Sequence, residues 1–290
     1  MDYELLKNEP MSAHTTFKTG GIAERLYKIK SENGLLEVMD ICKKEGSSPL
    51  IIGNGSNLLV SDKGISDPVI ELSTGFDEIS VSGNEIYAQS GALLSKVSKI
   101  ALENELKGFE FASGIPGTIG GAVYMNAGAY GGEMKDVVKS VRILDNGEIK
   151  EIKGNDMDFG YRHSIAMEKE FIVLGVTLAL EKGDKEEISS LMNDLNSRRR
   201  ERQPLEYPSA GSTFKRPEGY FAGKLIMDSG LAGKSIGGAM VSPKHCGFIV
   251  NTGNATSTDV FNLIKYVQSE VKDIYGVDLE TEVKLIGDFE

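Results

Sequence analysis

"GNGSN", residues 53–57, directly follows the apolar run Pro49-Leu50-Ile51-Ile52. Five small residues thus lead out of what reads as a buried strand. Such a turn is either a tight change of direction or a place where main-chain N–H groups come close to an anion. It lacks the third glycine of the dinucleotide fingerprint G-x-G-x-x-G, and no G-K-[ST] follows to make a Walker A loop. Alone it reads first as a plain turn. A second block shifts that balance. "GIPGTIGGAVYMNAGAYGGE", residues 114–133, sets Pro116 among Gly114, Gly117, Gly120 and Gly121. A loop this long and this rich in glycine is entropically wasteful if it only connects. Two such loops, each beside an apolar element, suit a long ligand with a pyrophosphate in its middle.

The composition bounds the rest. The chain has 290 residues, 40% hydrophobic and 26% charged, which fits a globular protein with a sizeable core. Its net charge of −11 disfavours nucleic acid, which needs a broad cationic face, but permits anionic small ligands at a local patch. Cys42 and Cys246 are far apart and sit in apolar settings, so no disulfide framework is expected. No apolar stretch reaches membrane-span length, and "MDYELLKNEP" has no apolar signal core. The expectation is a cytoplasmic protein without membrane insertion.

Helical spacing appears at 34–45 (Leu35, Leu36, Met39, Cys42), 92–104, 184–202 and from about 258. Asp184 is placed to cap the third helix, Ile188, Leu191 and Leu195 give it an apolar face, and Pro204 stops it. Strands are expected at 69–72, in hairpins around Gly83-Asn84 and Asp145-Asn146-Gly147, at 171–183, in "CGFIVN" and through "LETEVKLIG" (279–287). The mixture is not in strict alternation, so the fold class is α+β.

Six segments in order carry a resemblance: "TTFKTGG" (15–21), "GNGSNLLV" (53–60), "GIPGTIGGAVYMNAGAYGGE" (114–133), "GYRHS" (160–164), "AGSTFKRP" (210–217) and "LETEVKLIG" (279–287). Together they closely resemble the UDP-N-acetylenolpyruvoylglucosamine reductase family, over nearly the whole chain. The resemblance implies an FAD-binding fold of the vanillyl-alcohol-oxidase/PCMH type over residues 1–203, with two subdomains divided near 73. A small α+β substrate-binding domain over 204–290 would follow. It also implies non-covalent FAD, NADPH as hydride donor, and UDP-N-acetylglucosamine enolpyruvate as substrate in peptidoglycan precursor synthesis.

In that picture Gly53, Asn54, Gly55, Ser56 and Asn57 form the pyrophosphate loop, their side chains kept small to leave the phosphates room. Gly114, Ile115, Pro116, Gly117, Gly120 and Gly121 line the other side of the cofactor. Arg162 matches the family's catalytic arginine; a planar, bidentate guanidinium suits charge developing on the substrate carboxylate. Ser212 matches the proton donor to C2, and Glu282 the catalytic glutamate. Without the motif, each has an ordinary alternative: a surface ion pair, a turn serine, an outward residue on a strand. Arg202 and Lys215 are candidates for phosphate contacts, whereas Arg198, Arg199 and Arg200 read as solvated helix-end charges. Tyr124, Asn126 and Tyr130 are candidate flavin or substrate neighbours.

The family's longer form carries an additional loop, with a tyrosine over the substrate, between the arginine and serine motifs. Residues 163–211 leave no room for it, so the chain resembles the shorter form. No His, Cys or acidic cluster shows metal-ligand spacing, and no metal is expected. Two other readings remain: an FAD oxidase acting on a sugar or lactone, and a silent flavin- or nucleotide-binding module. Arg162, Ser212 and Glu282 all standing in their motifs argues against silence.

Overall fold

A computed structural model describes residues 2–169 and 171–289. The chain divides into two compact units. The first comprises Met1–Leu6, Tyr27–Asn54 and Val69–Arg199; the second comprises Lys7–Leu26, Gly55–Pro68 and Arg200–Glu290. The break at Arg199 lies beside the expected boundary at 203/204, but the division is not linear. Two N-terminal segments group with the C-terminal part.

The first unit is built on a five-stranded antiparallel sheet. Its order is Glu148–Lys153, Val138–Asp145, Phe171–Ala179, Glu85–Gln89, Ile79–Ser82. Both expected hairpins are there, turning at residues 83–84 and 146–147. The helix Leu94–Glu103 buries Leu94, Val97, Ser98 and Ala101. Ser98 escapes a buried-hydroxyl penalty by donating to the Leu94 carbonyl at 2.9 Å. The short helix Ile119–Tyr124 packs on the strands Phe171–Ala179 and Glu85–Gln89, which fixes the second glycine block against the sheet. A separate cluster gathers Leu35, Val38 and Cys42 of the helix Glu32–Glu45 with Ile70, Phe76 and Leu174. Val38 thus takes the buried place expected for Leu36 and Met39, which are half-buried.

The helix Lys185–Arg202 closes this part of the chain. Asp184 Oδ1 accepts the N–H groups of Glu186 and Glu187 at 2.9 and 3.0 Å, as a cap should. Ile188 and Leu195 are buried, but Leu191 is 46% exposed. The apolar face is therefore narrower than its spacing suggested.

The second unit packs a long helix, Ser257–Tyr275, against the strands Ser235–Ile236, Ala239–Val241 and Ile249–Asn251. A capping box between Thr256 and Asp259 starts this helix, and Val260, Leu263, Ile264, Val267 and Val271 form its buried stripe. The same core takes in Phe17 and Leu59, which is why the N-terminal segments belong here. Leu58–Val60 pairs in parallel with Lys284–Ile286, and Asn251 Nδ2 donates to the Phe17 carbonyl at 2.9 Å.

"LETEVKLIG" is not one strand. Its first half bonds back to the serine motif: the Lys215 N–H donates to Glu280 C=O, and Phe214 bridges Thr281. Only Lys284–Ile286 then joins Leu58–Val60. The segment changes partner at residues 282–283, so it does not form the single strand expected through residues 279–287.

Candidate functional site

The first glycine loop is shaped by the protein itself. A Cβ at Gly53 would collide with Thr118 Oγ1 of the second glycine block. Gly55 has φ +58° and a Cβ there would strike the His14 carbonyl oxygen. Protein packing, rather than phosphate space alone, excludes side chains at these two positions. The main chain points elsewhere. Among the described residues, the N–H groups of Gly53, Asn54, Gly55 and Ser56 donate to no protein acceptor. Asn57 is anchored: its Nδ2 donates to Glu282 C=O at 3.0 Å and its own carbonyl accepts from the Lys284 N–H at 2.9 Å.

In the second block, Gly120 sits tight against Ser90, where a Cβ would lie 2.6 Å from the Ser90 Cβ. The Ile119 and Gly120 N–H groups donate to Ala92 C=O and Ser90 C=O at 2.8 and 2.9 Å. Gly121 is exposed, and the N–H groups of Gly117, Thr118 and Gly121 meet no protein acceptor among the described residues. Main-chain amides without a protein acceptor are what an anion such as a flavin diphosphate requires, so each loop fits that group. Ile115 and Pro116 flank this turn, half-buried and exposed.

Thr118 was not singled out by the sequence, yet its hydroxyl stands at Gly53. Arg199 is a second omission. It does not lie out in solvent: its side chain runs beside Gly114, where a Cβ would be 3.1 Å from Arg199 Cδ. Burial lowers its pKa from the guanidinium value, and Tyr130 opposes that shift. No carboxylate pairs with it among the described residues. An arginine at a helix end is expected in solvent, and only its packing on Gly114 reveals otherwise.

Arg162 is half-buried at φ +54°, an unusual backbone state for a non-glycine residue. Its Nη2 donates to Gly128 C=O at 3.3 Å, and the guanidinium lies over the Tyr161 ring at 5.1 Å. Asn126 is fully buried, so it offers no surface to a substrate. Its Nδ2 donates to Glu133 Oε2 (3.0 Å) and Gly160 C=O (2.8 Å), and its Oδ1 accepts the Lys135 N–H (3.0 Å). The hydrogen bond from Lys135 holds the Glu133 carboxyl below its usual range. Burial opposes this, while Asn126 and the charges of Lys135 and Arg162 reinforce it. Tyr124 and Tyr130 are 38% and 46% exposed, and burial raises the Tyr124 pKa.

The segments that carry Ser212 and Glu282 bond to each other in the second unit. The Glu282 N–H donates to Thr213 C=O at 2.8 Å. Thr213 is fully buried; its N–H donates to Gly247 C=O at 2.8 Å and its Oγ1 accepts the Ile249 N–H at 3.0 Å. Ser212 is thus held on a fixed backbone, half-buried, with its hydroxyl unused by protein partners among the described residues. His245 Nδ1 accepts the Gly247 N–H at 3.2 Å, and burial pushes its pKa down against that backbone bond. Lys215 is ion-paired with Glu280, and Arg202 is exposed at its helix end.

No metal spacing was expected, but Asp158, His163 and Glu168 bring one ligand atom each within 4.8 Å of one another. The imidazole lies 3.8 and 3.5 Å from the two carboxylates, both well exposed. Both cysteines are buried and outside any disulfide, and no helix among the described residues is long and apolar enough to cross a membrane.

Residues 23–153 match an FAD binding domain family, and residues 203–286 match the C-terminal domain of UDP-N-acetylenolpyruvoylglucosamine reductase. The reductase of that name from Caldanaerobacter subterraneus subsp. tengcongensis is 55% identical over 98% of this chain and 94% of its own. That of Clostridioides difficile is 52% identical over 97% and 93%. The crystal structure of the Thermus caldophilus reductase superposes with a TM-score of 0.86 at 35% identity, covering 98% of this chain and 99% of that one. The α+β class and the flavin-domain architecture expected from the sequence are the ones found. The chain belongs to the UDP-N-acetylenolpyruvoylglucosamine reductase family.

Proposed function

We propose that this protein is an FAD-containing, NADPH-dependent reductase that converts UDP-N-acetylglucosamine enolpyruvate to UDP-N-acetylmuramate in peptidoglycan precursor synthesis. The observation supporting this reading is the backbone bond from Glu282 to Thr213, which joins the segments carrying the family's glutamate and serine. Bound FAD supplies a two-electron hydride relay between NADPH and the vinyl carbon C3. The amides that donate to no protein acceptor among the described residues, those of Gly53 to Ser56 in the first loop and of Gly117, Thr118 and Gly121 in the second, would hold its diphosphate. Arg162 stabilises the negative charge that spreads onto the substrate carboxylate. Ser212 delivers a proton from Oγ to C2. A hydroxyl is a weak acid, and it suffices because an enolate carbon is strongly basic, provided Oγ is held in line with C2. Glu282 stabilises the same intermediate from the segment bonded to the serine motif. Arg199, half-buried with no carboxylate partner among the described residues, would balance an anionic ligand at the Gly114 loop. The reading places the reaction in the cytoplasm, with the flavin in residues 1–203 and the sugar nucleotide in 204–290.

The test separates the half-reactions. Ser212→Ala should leave NADPH bleaching of the flavin nearly intact and slow reoxidation by the enolpyruvyl sugar nucleotide by about 10²–10⁴-fold. Equal loss in both halves removes Ser212 from the proton-transfer role. A purified protein that stays colourless and takes up no FAD removes the whole reading.

A further inference from the structure

The segment 124–128 and the turn 158–164 are laced together by three bonds in the first unit. Ser164 Oγ donates to Tyr124 C=O at 2.8 Å, Asn126 Nδ2 donates to Gly160 C=O at 2.8 Å, and Arg162 Nη2 donates to Gly128 C=O at 3.3 Å. Alternate residues of one segment thus grip the turn that carries Arg162. The turn needs such a grip. Gly160 and His163 exchange backbone bonds across only two intervening residues, at 3.1 and 3.2 Å, and Asp158 and Arg162 both adopt positive φ. Asn126 is the centre of the lacing. It is 0% exposed, sits at φ +43°, and spends both ends of its carboxamide. Asparagine tolerates that backbone better than most residues, and no hydrophobic residue could make these bonds.

We propose that Asn126 is a positioning residue for the reduction: its carboxamide fixes the turn that carries Arg162, and it acts only through that guanidinium. This rests on the function proposed above. A misplaced guanidinium loses its hold on charge that develops on the substrate while leaving hydride transfer from NADPH untouched.

Asn126→Gly keeps the positive φ available and deletes the carboxamide. Reoxidation of the NADPH-reduced enzyme by the enolpyruvyl sugar nucleotide should slow by up to about 10²-fold, the effect of a misplacement near 1 Å. NADPH bleaching should change by less than about threefold, and in an Arg162→Ala background the same substitution should add less than about twofold, since the two residues act as one unit. Equal slowing of both half-reactions, unchanged reoxidation, or full slowing without Arg162 overturns the proposal. If Asn126→Gly does not retain flavin, Ser164→Ala, which removes the neighbouring bond to Tyr124, is put through the same cycle. A loss confined to reoxidation and dependent on Arg162 supports the pinned turn, and any other pattern overturns it. A wild-type enzyme that bleaches with NADPH but is never reoxidised by this substrate instead sinks the functional reading, and this inference with it.

Discussion

Arg162 and the Ser212–Glu282 pair are held in opposite ways. Side chains pin the arginine turn, through Asn126 and Ser164, against a strained backbone. Main-chain bonds do most of the pinning of the serine and glutamate segments, from Glu282 to Thr213, Thr213 to Gly247 and Lys215 to Glu280, with Asn57 Nδ2 and Thr213 Oγ1 adding one side-chain bond each. A side-chain pin can be deleted by one substitution at a distance. A backbone pin cannot, so apart from Asn57 and Thr213 mainly the reacting residue itself is exposed to point mutation. One centre should therefore be broken from many positions and the other from few.

The sharpest challenge to this contrast is Arg162→Ala. It should slow reoxidation by about 10²–10³-fold, the usual loss on removing a donor that stabilises developing charge. Arg162→Lys should recover little, because an ammonium cannot reproduce the planar bidentate contact. Stopped-flow traces with excess substrate decide it, and full recovery by lysine would show that simple charge is enough.

A smaller effect is expected at the cofactor loops. Gly53→Ala drives a methyl into Thr118 Oγ1, and FAD affinity should fall about tenfold, near 1.4 kcal/mol. In a Thr118→Ala background the same change should fall well short of that. Fluorescence titration of the apoprotein with FAD measures both, and an undiminished penalty would place the obstruction at the ligand.

The mildest test uses pH and separates the two regions by stability. His245 has a depressed folded pKa, so the unfolded chain binds its proton first on acidification. Its contribution is complete above about 6.5 and is lost as pH falls from there toward the lower folded value. Glu133 also has a depressed pKa, but its contribution is complete above about 4.5 and is lost on descent through its folded value. Denaturant midpoints should show an early acid phase that His245→Gln abolishes and a later one that Glu133→Gln reduces. A single acid transition unaffected by His245→Gln would contradict the separation.

Much of this was legible in the sequence because it was periodic or locally signalled. The stripe from Val260 to Val271, the Asp184 cap and the two hairpins are patterns within one segment. Glycine content marked both loops but not the reason for it at each position, since the obstacle at Gly53 is Thr118, far away in sequence. Asn126 read as a ligand neighbour because it stands in a glycine-rich block, yet its partners, Gly160 and Glu133, are set by tertiary pairing. "LETEVKLIG" alternates like a strand, and nothing local tells that it changes partner halfway. The cluster of Asp158, His163 and Glu168 is spaced every five residues, a period that no regular element brings together, and only an irregular turn does so.

Arg199 has a consequence for handling the protein. A guanidinium tucked beside Gly114 without a counter-charge leaves the emptied loop electrically unfinished. Sulfate or phosphate from a buffer would be drawn there, competing with weakly held nucleotides and lending the apoprotein a borrowed resistance to heat.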